Sequence, residues 1–288
     1  MSDELLGKVL GRYRIVEDLG SGGMTSVYKA INEDSGRTMA VKVLPSHLTR
    51  KPEYIRRFRR EYKVMANLAH PNLVAIHEYD CTDGVHYYSM PFVAAPTLDR
   101  VMEAAPGRRL PPLRVARIGV GLLSALEYIH EAGIIHRDLK PVNLFVEEGD
   151  HVLLADFGLA KAMRQTVITM QPTFMGTVEY ASPEQIDVSA TVDPRSDLYQ
   201  TGLLLFQAAA GALPFPRRDI ETMINEKCFK EGLAAVRTLE PSVPEGLDRV
   251  IQRATRTDPG ERWQDARQMR EALEALLTSG ELGAEEAR

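Results

Sequence analysis

The chain has 288 residues, enough for two domains and a sizeable core, and its 44% hydrophobic and 26% charged content is that of an ordinary soluble globular protein. A formal net charge of −5 gives no electrostatic case for binding nucleic acid or an anionic membrane. The two cysteines, Cys81 and Cys228, lie far apart with no metal-ligand spacing, which suits reduced thiols in the cytoplasm better than a disulfide framework. The N-terminus lacks a signal-peptide pattern, and the longest apolar run, 203–212, is too short to span a bilayer and reads as a buried helix.

Residues 13–44 alternate in short runs punctuated by Gly-rich or Asn-Glu-Asp-Ser-Gly turns, the pattern of a strand meander. Tyr13, Ile15 and Leu19 share a face of the first strand; 27–31 and 38–44 form the next two. Between the first two lies Gly20-Ser21-Gly22-Gly23-Met24-Thr25-Ser26-Val27. Its glycines let backbone N–H groups approach phosphate oxygens with no Cβ in the way, although a plain hairpin turn would use the same residues. In the third strand, alternation puts Ala40 and Lys42 on one face. A small residue can then cover a flat base while the ammonium reaches its phosphates; the other reading is a lysine pointing to solvent.

Residues 52–69 read as a helix with an apolar stripe at Tyr54, Phe58, Met65 and Leu68, and Glu61 falls inside that stripe. A carboxylate on an inward face needs a partner, and Lys42 is the natural one. Arg56, Arg57, Arg59, Arg60 and Lys63 cover the opposite side, either as a solvated face or as a dock for an acidic or phosphorylated segment. Two strand-like stretches follow, 73–79 and 85–90, and then a connector, 91–96. Beyond Thr97 the period becomes helical: 114–131 carries Val115, Ile118, Leu122, Ala125, Leu126 and Ile129 at steps of three and four, with Gly133 as a stop. A short strand at 152–155 precedes a mostly helical stretch from residue 195 onward.

The densest chemistry lies in His136-Arg137-Asp138-Leu139-Lys140-Pro141-Val142-Asn143, followed by Asp156-Phe157-Gly158. An acid, a lysine two residues on, an amide five residues on and a second acid after an apolar hairpin suit transfer of a phosphoryl group held on Mg²⁺. Asp138 would accept the incoming hydroxyl's proton, Asn143 and Asp156 would hold metal through oxygen, and Lys140 would sit beside the transferring phosphate. The pattern H-R-D-L-x-x-x-N plus D-F-G is specific because several polar residues must all fall at fixed spacing.

On these motifs the chain resembles the protein kinase superfamily, most closely the bacterial Hanks-type (eukaryotic-like) Ser/Thr kinases, over roughly residues 13–276. Gly20, Gly22, Val27, Lys42, Glu61, Asp138, Lys140, Asn143, Asp156 and Gly158 match catalytic or binding positions of that family. So do Gly176-Thr177-Val178-Glu179-Tyr180-Ala181-Ser182-Pro183-Glu184, Asp197 and Arg262. The resemblance implies an α+β, bilobal protein-kinase fold. Its N-lobe, 1–90, would be an antiparallel sheet with one regulatory helix, and 91–97 a hinge. The C-lobe, 98–278, would be mostly helical, and 279–288 a disordered tail. It assigns ATP to Leu19, Gly20, Ser21, Gly22, Gly23, Val27, Ala40, Lys42, Met90, Pro91, Val93, Leu144 and Asp156. Metal, Mg²⁺ with Mn²⁺ as the alternative, goes to Asn143 and Asp156.

Catalysis falls by the same resemblance to Asp138, Lys140, Lys42, Glu61 and Thr177, the last bonding Asp138 and Lys140. Glu184 would pair with Arg262, and Asp197 would anchor the catalytic loop. Lys140 and Thr177 resemble Ser/Thr kinases more than tyrosine kinases. Arg137, directly before the catalytic acid, is similar to that of kinases whose activation loop is ordered by phosphorylation, which implies autophosphorylation at Thr169 or Thr173, with Thr166 behind them. Thr25 stands where the family usually has its third glycine, which leaves a nucleotide-binding pseudokinase as one alternative. A small-molecule phosphotransferase is the other; such enzymes lack the 176–184 segment that seats a peptide. Implied partners are ATP, protein substrates and a second copy through the N-lobe, in the cytoplasm, as a whole protein or as part of a longer one.

Overall fold

The computed structural model describes residues 5–21, 25–156, 178–187, 189–215, 224, 227–228 and 232–283. The chain divides into two compact units, Met1–Ala94 and Ala95–Arg288, a boundary that falls within the 91–97 connector.

The first unit is an antiparallel sheet built from β1 (Val9–Leu10), β2 (Tyr13–Ser21), β3 (Ser26–Asn32), β4 (Thr38–Val43), β5 (Tyr79–Thr82) and β6 (Val85–Pro91). The strand order is β1-β2-β3-β4-β6-β5. Period-two alternation sends Met39, Val41 and Val43 of β4 to one face, where they pack with Ile15, Tyr28, Ala30 and Tyr87. The other face receives Ala40 and Lys42. A short helix, α1 (Ser46–Thr49), leads into α2 (Pro52–Met65), which starts on a proline whose missing N–H falls where no helical bond is needed. Phe58, Glu61 and Met65 are its buried residues, spaced by three and four, and Phe58 stacks on Tyr88 of β6 at 5.0 Å.

Two sequence expectations shift here. The helix closes at Met65, short of residue 69, with the Ala66 N–H bonding to Tyr62 O. The expected strand at 73–79 is irregular until Tyr79, although burial alternates from Val74 to His77 as it would in a half-buried strand. His77 and Ser89 still share one backbone hydrogen bond of 2.9 Å beside the start of β5.

The second unit is mainly helical: α3 (Leu98–Ala104), α4 (Pro112–Glu131), α5 (Pro183–Ile186), α6 (Arg195–Ala210), α7 (Val236–Leu239), α8 (Glu245–Ala254) and α9 (Ala266–Ser279). A small hairpin, β7 (Leu144–Val146) with β8 (Val152–Leu154), pairs Leu144 with Leu154. Helix α6 is buried nearly all round, including Ser196, Asp197, Gln200 and Thr201, which makes it the axis of the unit. The C-terminal expectation moves too: Ser279 still belongs to α9, Gly280 closes the helix at φ 77°, and Leu282 is buried. Residues 284–288 of the expected tail lie outside the described residues. Among the described residues no helix is long and apolar enough to cross a membrane.

Close approach of α6 and α8 requires a glycine. A Cβ at Gly202 would sit 2.8 Å from Ala254 Cβ and 2.8 Å from Thr255 Cγ2, atoms fixed to their own backbone or nearly so. Gly202→Ala should therefore destabilise the protein by about 1–3 kcal/mol through overpacking, despite alanine's better helix propensity. A fall in the urea midpoint without a change in slope is the expected reading.

Candidate active site

In the strand-rich unit, Lys42 and Glu61 meet. Lys42 Nζ lies 3.1 Å from Glu61 Oε1, with both side chains at most 6% exposed. Tyr88, directly opposite Lys42 in the β4–β6 register, donates its hydroxyl to the same oxygen at 2.8 Å. A buried carboxylate thus receives a cation and a neutral donor, which holds α2 against the sheet through a charge. Val27 pairs with Gly20 on one side and with Lys42 on the other, while Ala40 pairs with Met90. Gly20 takes φ 139° beside a register shift in β2, and its N–H bonds to Asp18 Oδ1 at 2.8 Å. Leu19 is exposed, and Met90, Pro91 and Val93 are partly exposed. Gly22 and Gly23 lie outside the described residues, as does the side chain of Ser21.

In the helical unit, residues 136–143 have no regular ladder, so their backbone groups need other partners. Asp197 of α6, fully buried, supplies most of them. Its Oδ2 accepts the His136 N–H at 2.8 Å and lies 2.7 Å from His130 Nε2, while its Oδ1 accepts the Arg137 N–H at 2.8 Å. One turn on, Gln200 Oε1 accepts the Leu139 N–H at 3.1 Å. Gln185, in the Ser182-Pro183-Glu184-Gln185 box that starts α5, donates to Arg137 O at 2.8 Å. These bonds hold Arg137 at φ 66°, in the left-handed region that residues other than glycine enter uncommonly.

His136 is completely buried, and that burial lowers its pKa below the ordinary 6.5, so the ring stays neutral. A neutral imidazole has one donor and one acceptor. The Asp138 N–H donates to Nδ1 at 3.3 Å, which leaves Nε2–H to donate to Ala155 O at 3.3 Å. One ring therefore couples the backbone at Asp138 to the residue before Asp156. Asp138 Oδ2 and Lys140 Nζ lie 3.2 Å apart. Asn143 Nδ2 donates to Asp138 O at 2.9 Å, which turns the amide oxygen the other way, and Asn143 O accepts the Ala155 N–H at 2.9 Å. Asp156 follows at φ 61°. Leu144 is buried at the start of β7.

The arrangement thus brings Asp138, Lys140, Asn143 and Asp156 onto one braced loop and hairpin, and Lys42 onto Glu61. Phe157, Gly158, Thr166, Thr169, Thr173, Gly176 and Thr177 lie outside the described residues. Sequence reasoning missed Tyr88, His130, Gln185 and Gln200. Gln185 and Gln200 carried a signal, a capping-box spacing and a polar residue one turn from Asp197; Tyr88 and His130 become visible only through register and packing.

The protein kinase domain family matches residues 13–275, and the chain belongs to that family. It is 39% identical over 280 residues to a probable serine/threonine-protein kinase of Streptomyces coelicolor, covering 95% of this chain and 41% of that protein. It is 33% identical over 279 residues to the serine/threonine-protein kinase PrkC of Bacillus subtilis, covering 96% of this chain and 42% of the relative. The chain thus spans about two-fifths of the length of these relatives. Among solved structures it is similar to the Mycobacterium tuberculosis PknI kinase domain, with a TM-score of 0.69 and 29% identity, covering 93% of this chain and 97% of that one. A double-mutant form of the same domain gives 0.73 and 28%, covering 96% and 98%. The sheet of one unit and the helices of the other are those of the protein kinase fold.

Glu184 and Arg262 form a buried two-pronged pair, Nη1 to Oε1 at 2.7 Å and Nη2 to Oε2 at 2.9 Å, with Arg262 fully buried. Burial by itself would raise the Glu184 pKa; the bonds from Arg262 and from the Ser196 hydroxyl together outweigh it and leave the value below the ordinary 4.5. A depressed folded value means that the pair's contribution is present above about pH 4.5 and is lost as pH falls through the folded value. Glu184→Gln should cost about 3–5 kcal/mol at neutral pH, because it leaves the Arg262 charge buried without its partner. In acid the deficit should shrink, a convergence that urea titrations of both proteins at stepped pH will register.

Proposed function

We propose that the chain is the catalytic domain of a Ser/Thr protein kinase that transfers the γ-phosphoryl group of ATP to a protein Ser or Thr hydroxyl. The observation that carries this reading is Asp138 held 3.2 Å from Lys140, with Asn143 fastened to the Asp138 carbonyl, on a loop braced by Asp197. The relatives' names, serine/threonine-protein kinases, support the same choice of acceptor, as does Lys140 itself.

Each residue has a distinct task in this reading. Lys42, kept in place by Glu61, binds the α- and β-phosphates, with Ala40, Met90, Pro91, Val93 and Leu144 at the base and the 20–27 loop over the phosphates. Asp138 orients the acceptor hydroxyl and takes its proton, and Lys140 stabilises charge on the group in transit. The donor set suits a hard divalent ion that arrives with phosphates: one carboxylate and one amide oxygen, with the remaining ligands from nucleotide and water. Among the described residues no group of three or more His, Cys, Asp and Glu could hold a metal unaided, which fits that division. Mg²⁺ is the proposed ion and Mn²⁺ the alternative; Asn143 and Asp156 would hold it, and it would supply positive charge against the phosphate oxygens. The cytoplasm is the proposed location, where ATP is at hand and the thiols of Cys81 and Cys228 stay reduced.

Labelled-ATP assays with a basic protein as acceptor test the assignment. Asp138→Asn should keep nucleotide affinity within a few-fold and lose phosphoryl transfer by about a thousandfold or more; wild-type turnover would remove Asp138 from its role. Lys42→Met should also abolish labelling. Autophosphorylation at Thr169 or Thr173, with Thr166 as the third site, is part of the proposal. Mass spectrometry after incubation with Mg²⁺–ATP should find phosphate between residues 158 and 176 in the wild type and none in the Asp138→Asn protein.

A further inference from the structure

A lysine absent from every motif above is among the most buried side chains of the helical unit. Lys227 has no measurable exposure, and its ammonium donates to three backbone carbonyls: Val178 at 2.8 Å, Glu179 at 2.7 Å and Ala181 at 2.8 Å. Three converging acceptors match the three donors of an ammonium, a geometry that no neutral side chain can reproduce. Among the described residues it makes no ion pair with a carboxylate. Phe215 and Tyr199 face the charge with their rings, at 4.9 and 5.8 Å to the centroids. Desolvation pushes Lys227 down to about 7, with the charges of Cys228 and Glu179 pulling the other way.

The three carbonyls belong to the residues that run directly into Ser182, whose box residue Gln185 bonds to Arg137 O beside Asp138. Arg262 grips the far end of the same segment through Glu184, and the Tyr199 ring lies against both cations. Thr257 joins the two anchors: its hydroxyl bonds to Lys227 O at 3.3 Å, and its carbonyl accepts from Arg262 at 2.8 Å. Through Gln185 the 178–182 stretch is tied to the backbone beside Asp138, so an acceptor chain whose hydroxyl reaches that carboxylate has this stretch within reach.

We propose that Lys227 is a positioning residue for the protein acceptor: by clamping the carbonyls of Val178, Glu179 and Ala181 it fixes the wall on which the acceptor chain is seated. This rests on the kinase reading and adds a residue that acts on the acceptor and not on the nucleotide. The test is steady-state phosphorylation of a basic protein by the full chain, varying acceptor and ATP separately. Lys227→Met, similar in length but without donors, should raise KM for the acceptor about tenfold or more, since small misplacements of a seated substrate are amplified in this way. KM for ATP should stay within twofold. A variant that loses kcat or melting temperature with the acceptor KM unchanged would overturn the proposal, because that is what loss of mere support does. If Lys227→Met fails to fold, Lys227→Gln, which keeps an amide donor, takes its place. Hydrogen exchange at the amides of residues 178–182 gives a readout independent of turnover: faster exchange there in the variant is expected, and unchanged exchange would refute the clamp. An inactive wild type that showed this exchange difference would count against the kinase reading and leave the clamp standing.

Discussion

A carboxylate removed from water must be surrounded by donors, and Asp197 is surrounded by the backbone of the loop that carries Asp138. Two consecutive N–H groups, from His136 and Arg137, and the imidazole of His130 converge on its two oxygens. The interaction solves two problems together. It satisfies a buried charge, and it satisfies loop amides that no helix or sheet serves. Gln200, on the same face of α6 one turn later, extends the arrangement to Leu139. The loop's shape therefore depends on a helix that is itself the buried axis of its unit.

The other polar clusters repeat this logic. Lys42, Glu61 and Tyr88 form one such cluster inside the strand-rich unit, and Glu184, Ser196 and Arg262 form another inside the helical one. Buried ion pairs of this kind add little net stability over well-packed apolar groups, yet breaking one is costly. What they add is direction: hydrogen-bonded charges meet only in one geometry, whereas apolar contact is non-directional. Preorganised charge is also what phosphoryl transfer needs, because the protein contributes positioning and electrostatics more than covalent chemistry.

Much of this was legible in the letters. Period-two patterning located the strands around Lys42, and period-three-and-four patterning located α4 and the inward face of Glu61. The loop motif announced itself because unlike polar residues stand at fixed spacing. What stayed hidden had physical reasons. The stretch 73–79 alternates buried and exposed residues from Val74 to His77, so its side chains suggested a strand, whereas regular ladder pairing, which no side chain records, begins only at Tyr79. Lys227 sits in a sequence with no motif, and its three partners are backbone oxygens, which carry no signature of their own. Nothing in the letters set Tyr88 apart within 85–90; register places it opposite Lys42.

Two non-glycine residues of the site, Arg137 and Asp156, are held at φ 66° and 61°. Each such residue forgoes on the order of 1 kcal/mol or more that a relaxed backbone would keep. At Arg137 the bonds from Asp197 and Gln185 sustain that cost. Glycine carries no such penalty at positive φ, so at either place it would relieve the strain while loosening a backbone now held in one shape.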